Sequence, residues 1–156
     1  MSTSSETGLL GTQVVTQIGF IVKDIEQVSA AYAEFLGVEK PKWFWTDPAE
    51  IAQTEYKGDS CPARAKLAFF DCGQLQIELI EPDEHPSVWR DFLNEHGEGP
   101  HHIAFVIKGM KEKVLQLDGK GFPLLQKGEY TGGRYAYMDT SKELKVLVEL
   151  LENDSD

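Results

Sequence analysis

The sequence predicts an α+β domain: two βαβββ modules forming one mixed, cup-shaped sheet of about eight strands, with helices on its outer face. Two pairs of matching strings carry this expectation. Residues 17–24 read QIGFIVKD and residues 102–109 read HIAFVIKG; residues 77–81 read IELIE and residues 148–152 read VELLE. Each copy opens on a polar residue heading an apolar strand and closes on a glutamate set within one. Gln17 thus corresponds to His102, and Glu78 to Glu149. A period this long marks a duplicated half-domain and not a solenoid repeat.

The elements follow in order. Residues 1–12 are small and polar and are expected to form a disordered tail, with a single domain over 13–152. The first repeat spans 13–82, a linker helix 83–100 and the second repeat 101–152. A strand near Val14–Lys23 is followed by a helix whose Ile25, Val28, Ala31, Tyr32, Phe35 and Leu36 share one face. Asp24 with Gln27 fits a loose capping box, and Gly37 a C-terminal stop. Strands are expected near Arg64–Phe70 and Gln74–Ile80, turning at Asp71-Cys72-Gly73. Pro82 and Pro86 break the chain before a short helix over Ser87–His96, which ends at Gly97. The second repeat reads as a strand at His102–Ile107 and a helix at Lys111–Gly119. Strands near Phe122–Gln126, Arg134–Met138 and Lys145–Leu151 complete it. Corresponding residues lie 85 apart at the first pair and 71 at the second, so the first copy carries an extra loop around 43–60.

Composition narrows the function classes. The chain has 156 residues, 41% apolar and 26% charged, as in ordinary globular proteins. Its formal charge of −11 works against nucleic-acid binding, which relies on Lys and Arg neutralising phosphates. It leaves room for local cations, and Lys66, Lys127 and Arg134 are candidates to line a pocket. No apolar run approaches the roughly 20 residues needed to span a bilayer, and the N-terminus lacks a signal-peptide pattern. Cys61 and Cys72 show no metal or redox spacing and read as reduced thiols of a cytoplasmic protein.

Strand side chains alternate faces. Each of the four matching strands therefore has one fully apolar face for helices to cover and sets its polar residue on the reverse. That reverse face also carries Ile21, Ile80, Val106 and Leu151, too apolar for bulk solvent, while Gly19 and Ala104 leave room. It reads as a cavity. Two unpaired carboxylates facing each other there are costly. A divalent cation resolves the cost, held by Glu78, Glu149, the Gln17 amide oxygen and a His102 nitrogen. Four protein ligands leave positions open for water or substrate. One imidazole and three oxygens favour Zn, Co, Ni or Mn, one ion per chain. His85, His96 and His101, in turns or on the opposite strand parity, read as structural. Trp43 and Trp45 read as packing residues, with the pocket mouth as the alternative.

These residues resemble the vicinal oxygen chelate superfamily over about residues 13–152. The strings IELIEP (77–82), GPHHIAF (99–105) and VLVELLE (146–152) look most like methylmalonyl-CoA epimerase. The ligand set Gln17, Glu78, His102, Glu149 is similar to that of zinc-type glyoxalase I (lactoylglutathione lyase). Ile21 stands where glyoxalase places an arginine, and Lys66 is nearest to the position of the epimerase's second acid–base glutamate. With one histidine in the set, the extradiol dioxygenase branch is disfavoured. The resemblance implies proton transfer next to a carbonyl, through an enolate whose oxyanion the metal stabilises. Glu149 is then ligand and base, Glu78 its pseudo-symmetric partner, and Lys66 a further acid–base candidate. Arg134 and Lys127 are assigned to substrate binding. The implied substrate is a small carbonyl compound or thioester, and the implied assembly a homodimer. A metal-free ligand-binding or resistance protein of the same fold is the alternative from another class.

Overall fold

The computed structural model describes residues 8–154. Ten strands form one sheet: β1 (Gln17–Ile21), β2 (Phe44–Trp45), β3 (Glu55–Tyr56), β4 (Asp59–Ser60), β5 (Ala65–Cys72), β6 (Leu75–Pro82), β7 (Gly99–Val106), β8 (Leu124–Tyr130), β9 (Gly133–Met138) and β10 (Leu147–Asn153). Their order across the sheet is β2-β5-β6-β1-β7-β10-β9-β8-β3-β4. Five helices accompany them: α1 (Ile25–Leu36), α2 (Ala49–Ala52), α3 (Val88–His96), α4 (Met110–Gly119) and α5 (Ser141–Leu144).

The duplication is explicit in the topology. β1 runs parallel to β6, and β6 antiparallel to β5; β7 runs parallel to β10, and β10 antiparallel to β9. The two modules meet where β1 pairs antiparallel with β7, which places the pseudo-twofold axis between them. The sheet curls into a half-barrel around that line.

The count exceeds the expected eight because the extra loop of the first repeat forms strands of its own. Its β3–β4 hairpin leaves the β2 edge, crosses the open side of the cup and pairs with β8 at the opposite edge. No local pattern in residues 46–60 announces this pairing, since the partner strand lies in the other repeat.

Two helices pack on the outer face as expected. The Asp24 carboxylate accepts from the Gln27 amide at 3.1 Å to start α1, and Gly37, at φ 70°, ends it in the left-handed conformation. Ile25 and Ala33 of α1 join Ala68, Phe70 and Leu79 in one apolar cluster. Leu117 of α4 joins Ala136, Met138, Val148 and Leu150 in another.

The linker helix departs from the expectation. α3 packs inside the cup, where Val88 and Trp89 meet Ile21, Ile80, Tyr137 and Leu147. Those four residues share strand faces with the predicted ligands and not with the outer core. The Ser87 hydroxyl caps α3 by accepting from the Trp89 and Arg90 amides, and Gln126 Oε1 accepts from the Val88 amide at 2.9 Å. The start of α3 is buried from Ser87 to Trp89, so its first N–H groups need partners within the protein.

The expected tail over 1–12 falls largely on residues 1–7, outside the described residues. Of the remainder, Leu9 and Leu10 pack against the outer core beside α4. Among the described residues, no helix is long and apolar enough to cross a membrane.

Candidate metal centre

The register across the pseudo-twofold axis brings the four predicted ligands together. Gly19, two residues past Gln17, sits opposite Glu78 on one side and His102 on the other. Ala104, two residues past His102, sits opposite Glu149 and Gln17. Two small residues thus form the floor, and four polar side chains rise around it.

His102 Nε2 is the hub. It lies 2.9 Å from Gln17 Oε1, 3.0 Å from Glu149 Oε1 and 3.3 Å from Glu78 Oε1. All four residues are buried. Three oxygens crowd one nitrogen that carries at most one proton, so the cluster is short of positive charge. The pKa directions agree. Burial pushes the Glu78 carboxyl up against the opposing pull of His102. Burial alone would lower His102, but Glu149 and Glu78 outweigh it and hold the imidazole at about 9. Glu78, His102 and Glu149 offer ligand atoms within 4.8 Å of one another. A buried donor set with two carboxylates, one imidazole and one amide oxygen suits a divalent cation.

The room at Gly19 is taken by the histidine itself. A Cβ on Gly19 would meet His102 Cε1 at 2.0 Å. The missing side chain at position 19 therefore seats the imidazole and adds no room to the cavity.

Two hydrogen-bond chains orient the neutral ligands. His101 Nε2 lies 3.1 Å from the Val88 carbonyl, which can only accept, so Nε2 carries the proton. Burial and the neighbouring His102 charge hold His101 well below the usual histidine range, which keeps it neutral. Its Nδ1 is then an acceptor, 3.0 Å from His102 Nδ1, and His102 must donate there. That leaves the His102 Nε2 lone pair for the centre whenever His102 is neutral. The second chain starts at Asp71, which accepts from Gln76 Nε2 at 3.4 Å. Gln76 Oε1 accepts from Gln17 Nε2 at 2.7 Å, which turns Gln17 Oε1 inward. Reversing the Gln17 amide would let its nitrogen donate to Glu78 Oε1 and Glu149 Oε1 at 3.1 Å but set its oxygen 2.7 Å from Gln76 Oε1; the inward oxygen is the orientation a cation between the carboxylates would select.

His101 is the residue that strand parity missed. The β1–β7 register pairs Gly19 with His102 but Phe20 with Pro100, so His101 is the extra residue of a bulge. The bulge turns adjacent histidines to the same side. His101 is fully buried, edge-on to Phe92, Tyr137 and His102.

The three predicted cations lie elsewhere. Lys66 shares the outer face with Ala68 and Phe70, paired with Glu81 at 3.4 Å and lying over the Trp43 ring. Arg134 is held by Glu152 and Asp154. Lys127 is exposed and alternates with Gln126, which faces inward. None lines the cavity above the quartet, which has a volume of about 650 Å³ and is bordered by Gln17, Glu78 and Glu149. His85 and His96 lie at the surface beside Glu84 and Glu95.

Comparison with known proteins agrees with this fold. Residues 16–138 match the Glyoxalase/Bleomycin resistance protein/Dioxygenase superfamily, a span that includes Gln17, Glu78 and His102. The uncharacterized protein YqjC of Bacillus subtilis (strain 168) is 32% identical over 96 residues, covering 60% of this chain and 69% of its own length. The methylmalonyl-CoA epimerase of Mycobacterium tuberculosis superposes with a TM-score of 0.62 at 21% identity, covering 94% of this chain and 91% of its own. The hypothetical protein BH1468 of Bacillus halodurans C-125 gives 0.61 at 24% identity, with 91% and 95% covered. A Streptomyces coelicolor methylmalonyl-CoA epimerase variant in complex with 2-nitronate-propionyl-CoA gives 0.62 at 19% identity, with 92% and 99% covered. At these identities the structural likenesses show the fold.

Proposed function

The chain belongs to the Glyoxalase/Bleomycin resistance protein/Dioxygenase superfamily, and we propose that it is a metal-dependent epimerase or isomerase. It would move a proton at a carbon next to a carbonyl, in the manner of methylmalonyl-CoA epimerase. The observation that carries this reading is the quartet of Gln17, Glu78, His102 and Glu149. Two carboxylates buried beside a single imidazole border a substrate-sized cavity. Such a set would hold one divalent ion, Zn, Co, Ni or Mn. When bound, the ion supplies Lewis-acid stabilisation of the oxyanion that develops on the carbonyl.

The protein's own groups do the rest. Glu149 serves as ligand and base, since its carboxylate borders the cavity in which a substrate would lie. Glu78 stands across the axis from it and serves as the second acid–base group. Their pseudo-symmetric placement suits work on opposite faces of a planar enolate. Lys66 is left out of this scheme because it lies on the outer face, paired with Glu81. Arg134 and Lys127 are likewise left out as substrate-binding residues.

The makeup of the quartet favours one second reading, proton transfer on a hemithioacetal in the manner of lactoylglutathione lyase. Under this reading too, Glu149 is the base and Glu78 the second acid–base group. A homodimeric, cytoplasmic enzyme acting on a small carbonyl compound or thioester completes the proposal. The test is elemental analysis of the purified protein, then deuterium uptake from D₂O into candidate carbon acids. About one divalent ion per chain and metal-dependent exchange support the reading. A metal-free protein with no exchange points to the ligand-binding alternative.

A further inference from the structure

Two tyrosines of β9 border the cavity, and each carries a hydroxyl proton that the fold leaves unused. Tyr137 is the cross-strand partner of Glu149, and Tyr135 stands two residues earlier on the same strand face. The Tyr137 oxygen accepts from Trp89 Nε1 at 3.1 Å, and an indole N–H can only donate. The Tyr135 oxygen lies 3.1 Å from Gln126 Nε2. Gln126 is fixed in that orientation because its Oε1 accepts from the Val88 amide at 2.9 Å. Its Nε2 therefore faces Tyr135, and it too can only donate. Both phenol oxygens are acceptors in these bonds. Among the described residues, neither O–H has an acceptor of its own.

Packing does not explain the two hydroxyls. Tyr137 is fully buried, and phenylalanine would fill nearly the same volume with no polar group to satisfy. Tyr135 is seated by Gly128, its cross-strand partner on β8. A Cβ on Gly128 would meet the Tyr135 hydroxyl oxygen at 2.8 Å, and the glycine does not have a positive φ. Its missing side chain serves space and not backbone geometry. A phenol keeps its proton at neutral pH, so each tyrosine is an uncharged donor.

From this arrangement we infer that Tyr135 and Tyr137 are a donor pair for the substrate, which carries a second acceptor group, a carbonyl or a carboxylate, besides the reacting carbonyl. A carbonyl oxygen has two lone pairs. With one given to an ion at the quartet, it can accept from one phenol at most, so the other phenol calls for a further oxygen. An alkyl group in that place would leave a donor unpaired in a recess. The second oxygen rests on the proposed function, which sets the reacting carbonyl at the ion; the phenols' need for acceptors does not.

Three probes test it on the protein as purified, with its metal content measured. Pentan-2-one has one carbonyl; methyl 4-oxopentanoate adds a neutral ester carbonyl, and 4-oxopentanoate adds a carboxylate. One or both of the longer probes are expected to bind more tightly than pentan-2-one. Tyr135→Phe and Tyr137→Phe are each expected to weaken that binding by about 3- to 10-fold, and pentan-2-one by less. Loss confined to the ester assigns a neutral carbonyl, and loss confined to the anion a carboxylate. Each ratio compares one probe on two proteins with the same floor, so the charge of Glu78 and Glu149 cancels. The infrared C–O stretch of a bound probe labelled with carbon-13 at its ester or carboxyl carbon should lie lower in wild type than in the variants. A packing role alone would not move it. Where a variant does not fold, the wild type decides: the carbon-13 signals of its tyrosine Cζ atoms should move with the longer probes. Unchanged affinity and stretch in both variants overturns the inference, as does failure of the longer probes to bind or to move those signals. A metal-free protein strikes the proposed function, while the phenol ratios stand or fall by themselves.

Discussion

His101 and His102 are neighbours in sequence whose Nδ1 atoms lie 3.0 Å apart with ring planes 87° from parallel. Adjacent residues of a regular strand point to opposite faces; here a bulge in β7 turns both inward. The Val88 carbonyl fixes the proton on His101 Nε2, and His101 in turn fixes the proton on His102 Nδ1. The ring nitrogen facing Glu149 and Gln17 is thereby the one free to bind a metal.

This relation predicts that His101→Leu weakens divalent-metal affinity by about 10- to 100-fold, as loss of a ligand-orienting partner typically does. His101→Asn places an oxygen acceptor near the lost Nδ1 and is expected to recover part of that loss. Nitrogen-15 NMR of the imidazoles should show His102 protonated on Nδ1 in the metal-loaded wild type and mixed tautomers in His101→Leu. Unchanged affinity and tautomer in His101→Leu would dismiss the relay.

Gly19→Ala is predicted to fold but to lose most of its metal. Position 19 does not have a positive φ, so alanine meets no backbone obstacle. Its methyl group, however, would lie 2.0 Å from His102 Cε1, and the ring must move. Overpacking of this kind costs about 1–3 kcal/mol of stability. Circular dichroism and elemental analysis together check it, and full metal content in a folded Gly19→Ala protein contradicts the placement of His102.

Glu149→Gln is expected to keep the fold and part of the metal affinity, because the amide oxygen still coordinates. It should nevertheless lose about 10²–10⁴ in proton exchange, since an amide is no base. Glu78→Gln should show a milder or stereochemically one-sided defect. Deuterium uptake into each enantiomer of a 2-substituted acyl thioester, or into a hemithioacetal, is the measurement. Undiminished uptake by both variants removes these carboxylates from the mechanism.

The metal-stripped protein should lose stability as pH rises from about 6.5 through about 9. His102 is raised from its ordinary 6.5 to about 9, and Glu78 is raised above its ordinary 4.5. Below about 6.5 the raised Glu78 and the lowered His101 act in opposite senses; above it the His102 proton held only in the folded state makes stability fall with pH. The His102 contribution is fully present below about 6.5 and lost as pH passes through about 9. A divalent ion replaces the proton at Nε2, so added zinc should raise the melting temperature more at pH 9 than at pH 6. Thermal melts with chelator and with zinc across that range decide it; an equal zinc effect at both values counts against the shared site.

The sequence by itself determined the two modules, the pseudo-symmetric pairing and all four members of the quartet. The reason is that a strand has a side-chain period of two. Once Gln17, Glu78, His102 and Glu149 each stand opposite an apolar row, their common face follows without coordinates. Asp24 and Gly37 marked the ends of α1 just as locally. Tertiary structure alone decided the rest. The bulge at His101 is a mismatch between β1 and β7, visible only when both strands are paired. Lys66, Lys127 and Arg134 were plausible pocket cations until strand parity and partners such as Glu81 and Glu152 placed them outside. The crossing of β3–β4 to the far edge, and the insertion of α3 into the cup, depend on contacts between residues far apart in the chain. Periodicity reports which way a side chain points within its own element; what stands opposite it is settled only when the two repeats close on each other.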